Sequence, residues 1–356
     1  MMGFKMTVDS CPLDYRYPPA SLNREPEVRA ETLYIAGGLY GNPEALQAIL
    51  TLKAEEENRG GAVRLIFNGD FHWFDTAPDE FLTINTSVLA HGATRGNVET
   101  ELARPNSAGG CGCNYPSYVH PEVSQRSNEI FSRLAHIAQA FPKELEQLAA
   151  LPPTLVAQVG TLRVAVVHGD ARSLAGWSLA EERLPSAIIQ AAPRNEPLAE
   201  RAEPRDHTIT GTPLAQVAEE FREVGADVLA ATHTCLPFAL DLPVDGRTRL
   251  LINNGSAGMP NFSGSTFGLI TRISTQARPH PNSLYGITIR GVRCEAVPVV
   301  YDHSSWMKRF QANWPPASPA ELSYGRRLRN GPAYTLRQAI RGRVENTLSA
   351  FSQTGD

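Results

Sequence analysis

Ala62-Val63-Arg64-Leu65-Ile66-Phe67-Asn68-Gly69-Asp70 is an apolar run that stops at a polar turn. A short apolar run closed by Asn and Gly reads as a strand buried on both faces. The arrangement occurs upstream as well, where Glu31 to Ala36 reads as a buried strand running into Gly37-Gly38-Leu39-Tyr40-Gly41-Asn42. A helix follows: Asn42 suits an N-cap, Pro43 the first helical position, and Leu46, Ile49, Leu50 and Ala54 recur at helical spacing. Strand, polar turn and helix therefore repeat, which is the grammar of a layered α/β fold.

Working outward, a helical segment from about Pro78 leads on to Gly92, and Ile130, Phe131, Leu134, Ile137, Ala138 and Phe141 mark an amphipathic helix, with Pro142 opening another. Thr154 to Val159 and Leu162 to Val167 read as a hairpin turning at Gly160-Thr161, and the second strand ends in His168-Gly169-Asp170. Residues 171–211 lack a clean period and read as an irregular excursion. A helix is expected from Thr212 to Gly225, capped by Thr212 with Pro213 at its start and Gly225 at its end. Asp227 to Ala231 is a further strand, running into Thr232-His233-Thr234-Cys235. The chain is then strand-rich to Tyr301, and polar and helical from Asp302.

The 356 residues suffice for a sizeable core. Hydrophobic residues make up 42%, and 33 basic against 37 acidic residues give a net charge of -4, which argues against disorder and against a basic nucleic-acid surface. The five cysteines, Cys11, Cys111, Cys113, Cys235 and Cys294, are too few and too scattered for a secreted disulfide framework, so a cytoplasmic location is expected. The first thirty residues carry no apolar signal core, and no run approaches the roughly 18 apolar residues that would span a membrane. Oligomeric state is left open by the sequence.

Four turns, most of them directly after apolar strands, deliver metal-competent side chains: Asp70, Asn97, His168 and His233. At the carboxyl ends of strands in layered α/β folds the backbone turns away and such side chains converge. The ordered signatures are Gly69-Asp70, Gly96-Asn97, His168-Gly169, His233 and Ile252-Asn253-Asn254-Gly255-Ser256. This set, spanning roughly Thr32 to Ser256, resembles the calcineurin-like metallophosphoesterase family, whose motifs run D-x-H-G-N, G-D-x-x-D, G-N-H-D/E, a strand-borne His-Gly, and G-H-x-H. The resemblance implies an α/β fold, an αββα sandwich of two mixed β-sheets flanked by helices. It also implies two metal ions that share a bridging Asp and activate water for attack on phosphorus.

Carried across residue by residue, the match is uneven. Gly38 stands where the first motif has its Asp and Tyr40 where it has its His, while Gly41-Asn42 is kept. Thr232-His233-Thr234-Cys235-Leu236-Pro237 aligns with the last motif, with Cys235 in place of the second His. All three losses fall on one metal, which retains only Asp70. The other would be held by Asp70, Asn97, His168 and His233, an oxygen and imidazole set suited to Mn, Fe or Zn. One divalent ion is therefore expected, with a second open if Cys235, Cys111, Cys113 and Tyr40 rebuild the first position. The glycine-flanked Cys111-Gly112-Cys113 alternatively forms a disulfide. The family's leaving-group acid is also replaced, by Val98.

Arg95, immediately before Gly96-Asn97, is the candidate phosphate clamp, and His72 the candidate substitute acid. The catalytic set is thus Asp70, His168, His72 and Arg95. Asp75 is displaced from the family's second acid position, which Trp73 occupies. Asp170 either orients His168 or caps a turn, and Trp73, Trp177, Tyr115 and Tyr118 are candidates to line an organic pocket. The chain divides into an irregular segment (1–30), a metallophosphoesterase-like domain (31–301) with insertions at about 100–150 and 171–211, and a helical extension (302–356). The expected function is metal-dependent hydrolysis of a small phosphate ester, phosphodiester ahead of monoester. Two alternatives stand beside it: a non-catalytic binding or regulatory module on the same scaffold, and a thiol-based metal or redox sensor.

Overall fold

The computed structural model describes residues 15–104, 110–185, 209–276 and 278–347. The amino-terminal half holds β1 (Val28–Ala30), β2 (Thr32–Ala36), α1 (Pro43–Asn58), β3 (Val63–Asn68), α2 (Pro78–Leu89), β4 (Gly92–Thr94) and α3 (Asn97–Leu102). Next come α4 (Pro121–Ala138), α5 (Pro142–Ala149), β5 (Thr154–Val159), β6 (Leu162–Val167), α6 (Leu214–Val224) and β7 (Val228–Ala231). The remainder comprises β8 (Phe238–Val244), β9 (Arg247–Asn253), β10 (Gly268–Ser274), β11 (Tyr285–Ile289) and β12 (Val292–Val299). It closes with α7 (His303–Asn313), α8 (Pro319–Asn330), α9 (Leu336–Ala339), β13 (Ile340–Arg341) and β14 (Glu345–Asn346).

The strands form two seven-stranded mixed sheets, ordered β1-β5-β6-β7-β9-β8-β13 and β14-β11-β12-β10-β2-β3-β4. In the first, β6, β7 and β9 run parallel while β5/β6 and β8/β9 are antiparallel. In the second, β2, β3 and β4 run parallel and β10 is antiparallel to both β2 and β12. The continuous apolar runs have a simple cause: alternate residues serve different cores. Leu33 and Ile35 of β2 pack with Val164, Val166, Val228 and Ala230 between the sheets. Tyr34 and Ala36 face outward, under Leu46 and Ile49 of α1, Phe81 of α2, Ile130 of α4 and Phe310 of α7. On the opposite outer face, Val167 and Leu229 lie beneath Val217 and Phe221 of α6. The result is the αββα sandwich.

Local signals settled several boundaries. Asn42 caps α1 by accepting Ala45 N–H at 2.9 Å, the β5/β6 hairpin turns at Gly160-Thr161, and Gly225 ends α6 in a left-handed conformation. Three expectations are corrected and one strand is added. Thr212 does not cap α6: its hydroxyl donates to the Ser178 carbonyl at 2.6 Å, and Pro213 holds the cap position. The 1–30 segment is not wholly irregular, since β1 pairs in parallel with β5. The run between α2 and Asn97 carries the short strand β4. The 302–356 extension is not only helical, because β13 pairs with β8 and β14 with β11. Of the 171–211 excursion, residues 186–208 lie outside the described residues, as does Cys11. Among the described residues no helix is long and apolar enough to cross a membrane.

Candidate metal centre

Asp70 follows β3, Asn97 opens α3 after β4, His168 follows β6 and His233 follows β7, so the four turns meet where the carboxyl ends of the two sheets adjoin. Asp70 sits at φ 50° after Gly69 at φ 73°, a left-handed pair that turns its carboxylate back over the strand ends. Glu99 fixes that turn. Its carboxylate accepts Asp70 N–H and Gly96 N–H, each at 2.8 Å, and Phe71 N–H at 3.0 Å. Gly96 must lack a side chain, because a Cβ there would lie 2.7 Å from Asp70 N and 2.8 Å from His168 Cε1.

The ligand atoms face one another. His168 Nε2 lies 3.3 Å from Asp70 Oδ2, 3.2 Å from Asn97 Oδ1 and 3.3 Å from His233 Nδ1. Among the described residues, Asp70, His168 and His233 form a group whose ligand atoms all lie within 4.8 Å of one another, and all three are buried. Each ring is oriented from behind: His168 Nδ1–H donates to the Asn68 carbonyl at 2.8 Å, and His233 Nε2–H to the Cys113 carbonyl at 3.0 Å. Asn97 donates through Nδ2 to the Cys111 carbonyl at 2.8 Å, which leaves Oδ1 turned inward. Neutral rings in these orientations place four lone-pair-bearing atoms together with no hydrogen between them. A cation relieves that arrangement, and carbonyl or carboxylate partners behind histidine ligands are usual at metal centres. The donor set fits a divalent metal ion.

The field at the cluster favours positive charge, carried by a proton on His168 or by a cation. Burial opposes charge on Asp70, but the field and hydrogen bond of His168 outweigh it and hold the carboxyl below its usual range. Burial likewise opposes charge on His168, yet Asp70 and the Asn68 carbonyl raise its pKa. Burial and then His168 push His233 down to about 4, leaving it a neutral ligand near pH 7.

Gly38, Tyr40 and Cys235, the positions where the sequence departs from the motifs it resembles, pack on one another. A Cβ at Gly38 would fall 2.6 Å from Tyr40 Oη, with ring carbons nearer still, so the Tyr40 ring occupies the space that the family's aspartate side chain would need at this position. Tyr40 Oη lies 2.7 Å from Cys235 Sγ. Both residues have positive φ, 54° and 64°. Burial and then Cys235 push the Tyr40 phenol well above its ordinary pKa, so the protonated phenol is favoured beside the Cys235 thiol. Cys111 and Cys113 are joined in a disulfide, so in this state neither is a thiolate ligand, and the disulfide alternative is the one realised. Cys235 keeps its thiol beside Tyr40.

Two candidate catalytic residues are corrected. His72 is fully buried, with Nδ1 at 2.5 Å from Asp75 and its ring stacked on Phe81, and it turns into the core instead of toward the ligands. Arg95 is held by Pro152 through its backbone and sends its guanidinium to the Ala149 carbonyl at 3.2 Å, away from the cluster. Asp170 caps its own turn, accepting Arg172 N–H and Ser173 N–H at 2.9 Å, and does not orient His168.

Asp70, Asn97 and His233 open onto a cavity of about 330 Å³. Trp73, Tyr115 and Trp177 line it as expected. Tyr118 does not, its hydroxyl meeting Glu182 at 3.1 Å. Trp177 stands edge-on to His233, ring centres 5.3 Å apart. Arg126 of α4 and Tyr324, Arg326 and Arg327 of α8 complete the walls. Sequence reading missed these and gave Glu99 no role, although Glu99 fills the acidic position of the Gly96-Asn97-Val98-Glu99 motif. The stretch holding α8 was read as helical, but no local signal placed it at the cavity, roughly 90 residues beyond His233.

No family model matches the chain, and no curated protein matches it. Among solved structures, a hypothetical protein from Pyrococcus horikoshii OT3 is similar at 16% identity and a TM-score of 0.52, over 85% of this chain and 99% of that one. A metallophosphoesterase from Sphaerobacter thermophilus matches at 16% identity and a TM-score of 0.46, over 83% and 99%. A Saccharomyces cerevisiae protein serine/threonine phosphatase matches at 14% and 0.34, over 80% and 88%. Likeness at these identities speaks to the fold alone, the αββα sandwich of two mixed sheets.

Proposed function

We propose that this protein hydrolyses small phosphate esters, phosphodiesters ahead of monoesters, using one divalent metal ion held by Asp70, Asn97, His168 and His233. One observation carries the reading: four inward-facing donor atoms, three of whose residues open onto an aromatic-lined cavity with arginines in its wall. A divalent ion, Mn, Fe or Zn, would polarise a phosphoryl oxygen and lower the pKa of a water. The chain's own residues supply the rest. Glu99 holds the Asp70 turn, the Asn68, Cys111 and Cys113 carbonyls orient three ligands, and Arg126 and Arg326 bring positive charge to the cavity. Val98, fully buried where the family carries its acid histidine, offers no proton to a leaving oxygen. That favours esters whose leaving group departs without protonation, and removing such a donor typically costs about 10²–10⁴ in rate for poor leaving groups.

The Tyr40 ring over Gly38 supports a second reading, a scaffold that binds one ion and does not turn over. Hydrolysis of a p-nitrophenyl phosphodiester in Mn²⁺ separates the two. Turnover by the parent that is lost in Asp70→Asn and His168→Ala supports the enzyme, and undiminished turnover in those variants refutes this site. A fully metallated parent inactive across a panel of phosphate esters supports the non-catalytic module.

A further inference from the structure

Two of the four donors belong to side chains that a half-turn or a shifted proton would spoil. Rotating Asn97 by 180° about its last bond would present an NH₂ where Oδ1 now faces inward, and the other tautomer of His233 would present N–H instead of a lone pair. Both are held by the same small ring. The Cys111 carbonyl accepts Asn97 Nδ2–H at 2.8 Å, and the Cys113 carbonyl accepts His233 Nε2–H at 3.0 Å. The disulfide closes Cys111-Gly112-Cys113 into a small ring that contains the Cys111 carbonyl carbon and carries the Cys113 carbonyl on its last Cα. The ring is fastened elsewhere too. Cys111 N–H donates to Asn128 at 3.0 Å, and the Cys113 carbonyl also accepts Trp177 Nε1–H at 3.0 Å. Gly112 adopts φ 65° with no room for a side chain, its Cβ position lying 2.9 Å from Glu101 Cγ.

We infer that the Cys111–Cys113 disulfide is a positioning device for the metal centre, which sets the orientation of Asn97 and His233, and that opening it weakens metal binding reversibly. The inference rests on the metal reading above. Reduction by a phosphine consumes one water and breaks the S–S bond: the two electrons come from phosphorus, which becomes the phosphine oxide, and each sulfur takes a proton. The ring then opens, the carbonyls lose their fixed spacing, and the orientation of both ligands becomes a cost of binding the ion. Loss of an orienting partner behind a metal ligand typically weakens affinity about 10- to 100-fold.

The test titrates Co²⁺ into oxidised full-length protein, into the same protein reduced with tris(2-carboxyethyl)phosphine and desalted anaerobically, and into Cys111→Ser/Cys113→Ser. Calorimetry reads affinity, the visible Co²⁺ bands read the ligand field, and far-ultraviolet circular dichroism checks the fold. Expected are an affinity for Co²⁺ weaker by about 10- to 100-fold on reduction, recovery on reoxidation, and a double variant equally weak and indifferent to reductant. Equal affinity and identical spectra in the oxidised and reduced forms would overturn the inference and leave the metal centre standing. Tighter binding on reduction with a thiolate-to-cobalt charge-transfer band would overturn it in favour of cysteine ligation. Oxidised protein that binds no Co²⁺ would overturn the metal reading, and this inference with it.

Discussion

Adding one methyl group at Gly38 tests whether the Tyr40 ring fills the vacated ligand position. Gly38 cannot retreat: it forms a parallel bridge with Ser256, and its carbonyl accepts Ala257 N–H at 3.0 Å and Gly258 N–H at 3.1 Å. Nor is the ring free to move, since Tyr40 is 4% exposed and its Oη is engaged with Cys235. The backbone of Gly38 is not left-handed, so Gly38→Ala carries no conformational penalty and its cost is steric. Overpacking of this kind costs about 1–3 kcal/mol. In a Tyr40→Ala background the clash is gone, and the same Gly→Ala change should be neutral or stabilising by about 0.5 kcal/mol through the unfolded chain. The four proteins of this cycle, unfolded in urea, should therefore show a coupling of about 2 kcal/mol between positions 38 and 40. Additivity within about 0.5 kcal/mol would refute the packing argument. The functional counterpart is Gly38→Asp/Tyr40→His/Cys235→His, expected to bind two ions per chain where the parent binds one. An unchanged stoichiometry by elemental analysis would show that the ring is not what excludes the second ion.

Arg272 of β10 is buried between Glu56 and Glu295, with contacts of 2.5 and 2.6 Å, so Arg272→Leu should cost about 3 kcal/mol by taking the buried cation from two carboxylates that keep Arg59, Arg293 and the His280 N–H; a urea-measured loss below about 1 kcal/mol would contradict that. His280 is lowered from 6.5 to about 4 by burial and then by Arg272, so as pH falls the unfolded chain takes the proton first. His280 should contribute a stability loss on the order of 3 kcal/mol between pH 6.5 and 4, and His280→Asn should remove that share of the slope in urea midpoints taken across the window.

The sheets were legible because their strands are buried twice. Apolar residues at successive positions of β2, β3, β6 and β7 serve two cores, and such runs have few other readings. The ligand set was legible for a related reason: each donor follows such a strand, so its position in space is inherited from the sheet. Side-chain direction is not inherited in that way. Arg95 and His72 lie within two residues of a ligand, yet one is drawn to the Ala149 carbonyl and the other to Asp75 and Phe81. The losses at Gly38, Tyr40 and Cys235 were visible singly. That they pack on one another depends on a contact between residues 195 positions apart, which local sequence does not encode.

The centre and its cavity come from different parts of the chain. All four donors lie between residues 70 and 233, whereas one wall is formed by residues 322–333, in and just after α8. Substitutions on α8 can thus reshape the cavity while the four donors stay intact, so the two properties are free to evolve at different rates. Arg327 limits that independence. It reaches from α8 to the Cys235 carbonyl at 3.1 Å and to Ser256 Oγ at 3.2 Å, tying the variable wall to the turn that carries His233. A lineage that reshapes the wall must keep this one arginine or rebuild the turn beneath it.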